Sequence, residues 1–414
     1  MKLEHTTEHN IESMQLRIPL TAAPTPVARG GQQTLSMVIF IDALGWAVLK
    51  GRKFLQNEMP YRQKLRSVFG FSSACVPSIL TGQQPREHRH WSFYYFAKEK
   101  SPFRKLRLLR WLPGSLTDRG RVRHLLSRIV GRVLGFTGYF QLYNLPFEHI
   151  HLFDYCEKKN IFKPQGMNRG ENIFDLLKRF KVPYHVSDWH HSEEVNLDAC
   201  KQAIAKDNIK FAFLYMASMD ALLHQVGKDS DAVDSKLEWY EDRLRELFAA
   251  ARARFDEVRV FICSDHGMAT VNRNIDLMSR IEALPLNYGS DYVAVYDSTM
   301  ARFWFMNDAA RSRIEQELAT VGCGRTLSRA ELETLGCDFE GDQFGELIFL
   351  LDPGTIIVPS HMGLKTITGM HGYHPDHEDS DAALLSNVET PVPMESITDI
   401  FHLMKVEAGI RVSA

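Results

Sequence analysis

The chain has 414 residues, a formal net charge of −2 and a sequence pI near 6.8. Such a balance presents no broad positive field, which excludes a nucleic-acid polymer as partner. Hydrophobic residues make up 44%, enough for a sizeable core, and no uncharged apolar run reaches the length of about 18 residues that a spanning helix needs.

Residues 1–35 are polar and punctuated by Pro and Gly, and read as an N-terminal extension before a catalytic domain over 36–410. The opening MKLEHTTEHNIESMQ is charged, so no signal peptide is expected. Six scattered cysteines without a CxxC pair read as reduced thiols, and a cytoplasmic location is the expectation, with a membrane-peripheral one as the alternative. SMVIFIDALG (36–45) is an apolar run ending in Asp and Gly, a buried strand followed by a turn. KFAFLYMAS (210–218) and VRVFICSDHG (258–267) repeat that pattern, and 232–254 between them has helical periodicity. Strand, helix, strand implies a right-handed crossover in an α/β fold, a mostly parallel sheet flanked by helices. KVPYHVSD (181–188), after a helix around 171–180, adds a further strand. DYVAVYD (291–297), ARFWFMN (301–307) and GELIFLL (345–351) are shorter strands, and 392–406 reads as a closing helix.

Residues 92–165 stand apart as a helical cap insertion. Within it 103–136 carries nine Lys/Arg against one acid, Asp118, with apolar residues at helical spacing and aromatic flanks. Three readings stay open for 103–132: a solvated face packed on the core, arginines offered to a phosphate-bearing or lipid-linked substrate, or a basic amphipathic surface for an anionic membrane.

Each candidate strand ends in a group able to hold a metal. Asp42 follows MVIFI, Asp220 follows FLYMASM with His224 one helical turn on, Asp265-His266 follow VRVFICS, and His371 sits in GMHGYHPDH. Functional residues of open α/β sheets gather at the carboxyl ends of strands, so these groups converge. Three aspartates and three histidines suit Zn²⁺, with Mn²⁺ or Mg²⁺ as alternatives. Two dications about 4 Å apart would neutralise a phosphate-like oxyanion and bridge attacking and leaving oxygens.

These residues resemble the alkaline phosphatase superfamily, closest to its type I phosphodiesterase/nucleotide pyrophosphatase branch. YMASMDALLHQVGKDSDAV, a helix and VFICSDHGM follow one another over 215–268 at the family's spacing, and HGYHPD resembles its late HGY element. The resemblance covers about 36–91 and 166–405. It implies an alkaline-phosphatase-like core in which Asp42, Ser72, Asp265 and His266 hold one metal and Asp220, His224 and His371 the other. His374 and His377 stand nearby as alternatives to His371.

The family places its nucleophile nine residues before the Thr of a Thr-Gly pair, and counting back from Thr81-Gly82 gives Ser72, with Ser73 as the register alternative. A helix starting near Ser73 would aim free N–H groups at Ser72, although Pro77 favours a start nearer 75. Cys75-Val76-Pro77-Ser78 lacks the arginine of the sulfatase signature, Ile79 standing in its place, so Cys75 reads as a small buried hydrophobe. The branch's usual glycine is Arg89 and its phosphate-binding Asn is missing, which leaves Arg89, His90 or Ser92 as donors. The expectation is a two-zinc hydrolase of a phosphodiester or pyrophosphate bond in a small phosphorylated substrate, acting through a phosphoseryl intermediate. A phosphomonoesterase, phosphonate hydrolase or phosphotransferase on the same site, and a non-catalytic anion-binding metalloprotein, are the alternatives.

Overall fold

The residues TLSMVIFI, all buried but the first, form the strand Thr34–Ile41 inside a six-stranded sheet. A computed structural model describes residues 33–111 and 120–410 of the chain. All but the last three residues of the expected extension therefore lie outside the described residues.

The sheet runs Tyr61–Leu65, Ala382–Ser386, Glu257–Cys263, Thr34–Ile41, Phe211–Met216, Tyr184–Val186. The last four strands are mutually parallel, and Ala382–Ser386 is antiparallel to both its neighbours. The helix Asp231–Arg252 makes the expected crossover between Phe211–Met216 and Glu257–Cys263. Successive strand residues point to opposite faces, and the core divides accordingly. Val38, Phe40, Phe213 and Phe261 pack with the helices Ser72–Thr81, Ile173–Arg179 and Asp399–Glu407. Met37, Ile39, Leu214 and Ile262 pack with Glu193–Ala205 and Asp231–Arg252. Burial on both faces explains the near-continuous apolar runs.

The strands expected at 291–297, 301–307 and 345–351 form a second, antiparallel sheet, Tyr292–Tyr296, Met300–Phe305 and Leu347–Leu351, closed by Gly324–Thr326. The insertion leaves through Tyr94–Phe96 and returns through Phe153–Tyr155, which pair antiparallel at its base. Between them lie a 3₁₀ segment, Arg104–Trp111, and the helix Gly120–Leu134. Phe103, Val130, Leu142 and Tyr155 pack against Val293, Val295 and Trp304 of the second sheet. The closing helix starts at Asp399 rather than near 392, since Pro391 and Pro393 interrupt a helical backbone and the Asp399 carboxylate instead accepts from the Glu395 and Ser396 N–H groups. No helix among the described residues is long and apolar enough to cross a membrane.

Candidate active site

Strand ends deliver the acidic groups. Asp42 follows the strand Thr34–Ile41, and Ala43 turns the chain with a φ of 61°. Asp265 and His266 follow Glu257–Cys263 on the adjacent strand. The two loops cross at Gly45 and Gly267, where a β-carbon on Gly45 would fall 2.2 Å from the Gly267 α-carbon. A side chain at Gly45 would force the two loops apart, and one at Gly267 would strike the Asp379 carbonyl at 2.3 Å. One Asp265 oxygen is fixed by the N–H groups of Ala43 (3.1 Å) and His266 (3.0 Å), which leaves Oδ2 facing His266 Nε2 at 3.0 Å. Asp42 Oδ2 accepts from the Tyr215 hydroxyl at 2.9 Å.

The helix Ser218–Val226 puts Asp220 and His224 one turn apart on one face, His224 Nε2 lying 3.3 Å from Asp220 Oδ1. His371 Nε2 lies 3.4 Å from the same oxygen. His371 is delivered by Gly369–Met370, which pairs with Ala269–Thr270 just past Asp265-His266. Asp42, Asp265 and His266 form one cluster and Asp220, His224 and His371 another, with the donor atoms of each within 4.8 Å of one another. The clusters adjoin, the rings of His266 and His371 stacking at 3.8 Å.

The donor set fits two cations on three observations. His224 and His266 each direct Nδ1 to a backbone carbonyl, Gly369 (2.8 Å) and Gly267 (3.0 Å), and present Nε2 to the centre, as metal-binding histidines do. Asp220 Oδ1 and Asp265 Oδ2 are buried without a hydrogen-bond partner. Burial, then repulsion from neighbouring carboxylates, pushes the Asp42 carboxyl well above its usual range. Burial, outweighing the nearby imidazoles, raises Asp220 too. Burial works against the His266 imidazolium, but Asp265, Asp42 and Asp220 together outweigh it and push the group up to about 9. A dication is the charge such a set accommodates.

Ser72 stands beside the first cluster and lines one cavity with Asp220, His224 and His371 of the second. It opens the helix Ser72–Thr81, earlier than Pro77 suggested. The ring sits in the second turn, where it removes one helical bond, while Ala74, Cys75 and Ile79 are fully buried and hold the helix in place. Ser72 Oγ is 3.0 Å from His266 Nε2 and 3.5 Å from Asp42 Oδ1. The first turn's bonds begin with Ala74 and Cys75 donating to the Phe71 carbonyl, so the N–H groups of Ser72 and Ser73 are left for an anion. Ser73 instead donates its hydroxyl to the Trp91 carbonyl at 2.7 Å. Cys75 is buried, and burial holds its thiol well above the ordinary value.

Arg89 and His90 fall outside this centre. Arg89 caps the short helix Pro85–His88 in the left-handed region, and its guanidinium pairs with Glu340. His90 is buried and accepts from the Asn168 N–H at 3.0 Å. Ser92 does line the cavity, but Arg302 donates to its hydroxyl at 2.8 Å. His374 lies beside Glu331 and His377 caps the turn Glu378–Ser380, so His371 alone of the three joins a metal cluster.

A cavity of about 580 Å³ opens over Ser72, walled by Phe71, Phe93, Tyr139, Tyr143, Phe162 and Trp189, with Glu157 and Asp297 also in its lining. Phe93, Tyr139 and Tyr143 belong to the aromatic flanks that the sequence shows, whereas Tyr215, Glu157, Phe71, Phe162 and Trp189 escape sequence reading. The wall comes from five separate stretches, and a lone Glu or aromatic residue carries no spacing signal.

The sequence profile of the type I phosphodiesterase / nucleotide pyrophosphatase family matches residues 37–374, a range that includes the insertion. No curated protein matches in sequence. Among solved structures, murine ectonucleotide pyrophosphatase/phosphodiesterase 5 is similar at 16% identity and a TM-score of 0.65, covering 92% of this chain and 96% of that one. The human counterpart is similar at 14% and 0.64, with the same coverage. An inactive form of the murine protein in complex with AMP is similar at 16% and 0.64. The similarity in structure, the strand-end carboxylates and the profile match agree: the chain belongs to the type I phosphodiesterase / nucleotide pyrophosphatase family of the alkaline phosphatase superfamily, metal-dependent hydrolases of phosphoric ester bonds.

Proposed function

We propose that the chain cleaves a phosphodiester or pyrophosphate bond through a phosphoseryl intermediate on Ser72, with zinc as its metal. The position of Ser72 Oγ, at a helix start, beside Asp42 and His266 and in one cavity with Asp220, His224 and His371, carries this reading. Asp42, Asp265, His266 and Ser72 would hold one ion and Asp220, His224 and His371 the other. Two such ions supply charge neutralisation at the phosphoryl oxygens and a lowered pKa for the serine hydroxyl and for water.

Ser72 Oγ forms its bond to phosphorus as the bond to the leaving oxygen breaks on the opposite side. The N–H groups of Ser72 and Ser73 are placed to receive a non-bridging oxygen. Water then attacks phosphorus, the Oγ–P bond breaks, and Ser72 regains a proton. The surroundings favour a diester over a monoester. Arg89, the guanidinium that would suit a dianion, is engaged with Glu340 outside the cavity, and the aromatic walls suit an organic group beyond the phosphate.

The test compares bis-p-nitrophenyl phosphate with p-nitrophenyl phosphate, with metal content measured alongside. The expected result is about two zinc per chain, faster turnover of the diester, and a kcat at least about 10³-fold lower in Ser72→Ala with unchanged folding. Acid quenching of the wild type during turnover of the diester should leave a p-nitrophenyl phosphoryl group on the Ser72 peptide. Neither compound being turned over with Zn²⁺ or Mn²⁺ added, or undiminished activity in Ser72→Ala, would refute the proposal.

A further inference from the structure

The helix Gly120–Leu134 buries Arg123, Ser127 and Val130 and packs Leu126 on the insertion's core. Its outer side is made of two neighbouring rows, each spaced one turn apart. Leu125, Ile129 and Val133 form one row, 57%, 50% and 79% exposed. His124, Arg128 and Arg132 form the other and are exposed along its length. The segment Arg104–Trp111 follows the same rule, with Leu106 and Leu109 on the core and Leu108 and Trp111 66% and 75% exposed. Arg104, Lys105 and Arg107 are exposed beside them.

Charge identifies what covers this surface. Some exposed arginines elsewhere are paired with acids, Arg179 with Glu171, Arg245 with Glu58 and Glu241, Arg325 with Glu331, while Arg169, Arg273 and Arg313 stand singly in the sequence without an ion pair to a described residue. Arg104, Lys105, Arg107, Arg121, Arg128 and Arg132 have no acidic partner among the described residues. An apolar row bordered by unneutralised arginines is complementary to a lipid interface: acyl chains for the row, headgroup phosphates for the cations. A second copy of the chain would bring the same positive charge and be repelled.

We propose that this face of the insertion docks on an anionic phospholipid surface, with Leu125, Ile129 and Val133 at the acyl boundary and the arginines among the headgroups. Tyr139 and Tyr143 follow the helix and line the catalytic cavity, so docking holds that wall near the membrane. The proposal is independent of the hydrolytic reading.

The full chain is sedimented with vesicles of phosphatidylcholine alone and of phosphatidylcholine mixed with phosphatidylserine. Binding to the mixed vesicles only, weakened by salt, is expected. Arg128→Glu/Arg132→Glu should weaken it at least about tenfold, and Leu125→Ser/Ile129→Ser/Val133→Ser by a similar factor. All these positions are exposed, so both variants should keep the wild-type circular dichroism and the wild-type rate on bis-p-nitrophenyl phosphate. Failure to sediment with the mixed vesicles, or equal sedimentation of wild type and both variants, overturns the proposal. So does a dimer in analytical ultracentrifugation that the triple serine variant dissolves, which would assign the face to a second copy.

Discussion

Glu157 is buried in the cavity wall, where the Tyr139 N–H donates to one carboxylate oxygen at 3.4 Å. Burial raises its carboxyl from an ordinary 4.5 to about 8. The folded chain therefore holds a proton that the unfolded chain releases, so this group's stabilising contribution is complete below pH 4.5 and is lost as pH rises through 8. Glu157→Gln should thus gain stability relative to wild type between those limits, read as a pH-dependent difference in urea midpoint. Ionisation also turns the wall negative, so the wild-type KM for an anionic diester should rise above pH 8 more steeply than that of Glu157→Gln. Parallel profiles would show that Glu157 does not face the substrate. Nothing in the sequence marks this residue, because its environment is set by Tyr139 and by a cavity that exists only once the insertion folds back. Asp42, Asp220 and Asp265 were legible for the opposite reason, each standing just past a buried apolar run.

Legibility followed burial at the level of elements as well. The central strands announce themselves by continuous apolar runs, whereas Tyr61–Leu65 is an edge strand of YRQKL with one buried residue and carries no such run. Ala382–Ser386 is fully buried but only five residues long, too short for periodicity to separate strand from helix. The second sheet meets the insertion through Arg302, which donates to Asp297 (2.7 Å), Ser92 (2.8 Å), the Tyr94 carbonyl (2.9 Å) and the Phe344 carbonyl (3.0 Å) while fully buried. Its carboxylate partner lines the cavity. Arg302→Met should cost about 3–5 kcal/mol, since it strands a buried carboxylate. Arg302→Met/Asp297→Asn should recover part of that loss. Urea unfolding of both variants measures the difference, and equal midpoints for wild type and Arg302→Met would show that the network contributes nothing.

Across the whole molecule, the site draws on residues from Asp42 to His371 and on several strand ends, so its donor atoms meet only in the folded chain. Metal binding is then linked to folding. Free zinc at a hundred times its dissociation constant should add about 2.7 kcal/mol of stability, seen as a zinc-dependent rise in Tm that a chelator reverses. Asp265→Asn should flatten that rise, and an identical response in the variant would place the bound zinc elsewhere. The strand Ala382–Ser386 lies between Tyr61–Leu65 and Glu257–Cys263, with a consequence for the order of synthesis. Tyr61–Leu65 leaves the ribosome long before its sheet partner is made. Until Ala382–Ser386 is made, the growing chain holds Tyr61–Leu65 without the strand that joins it to the sheet.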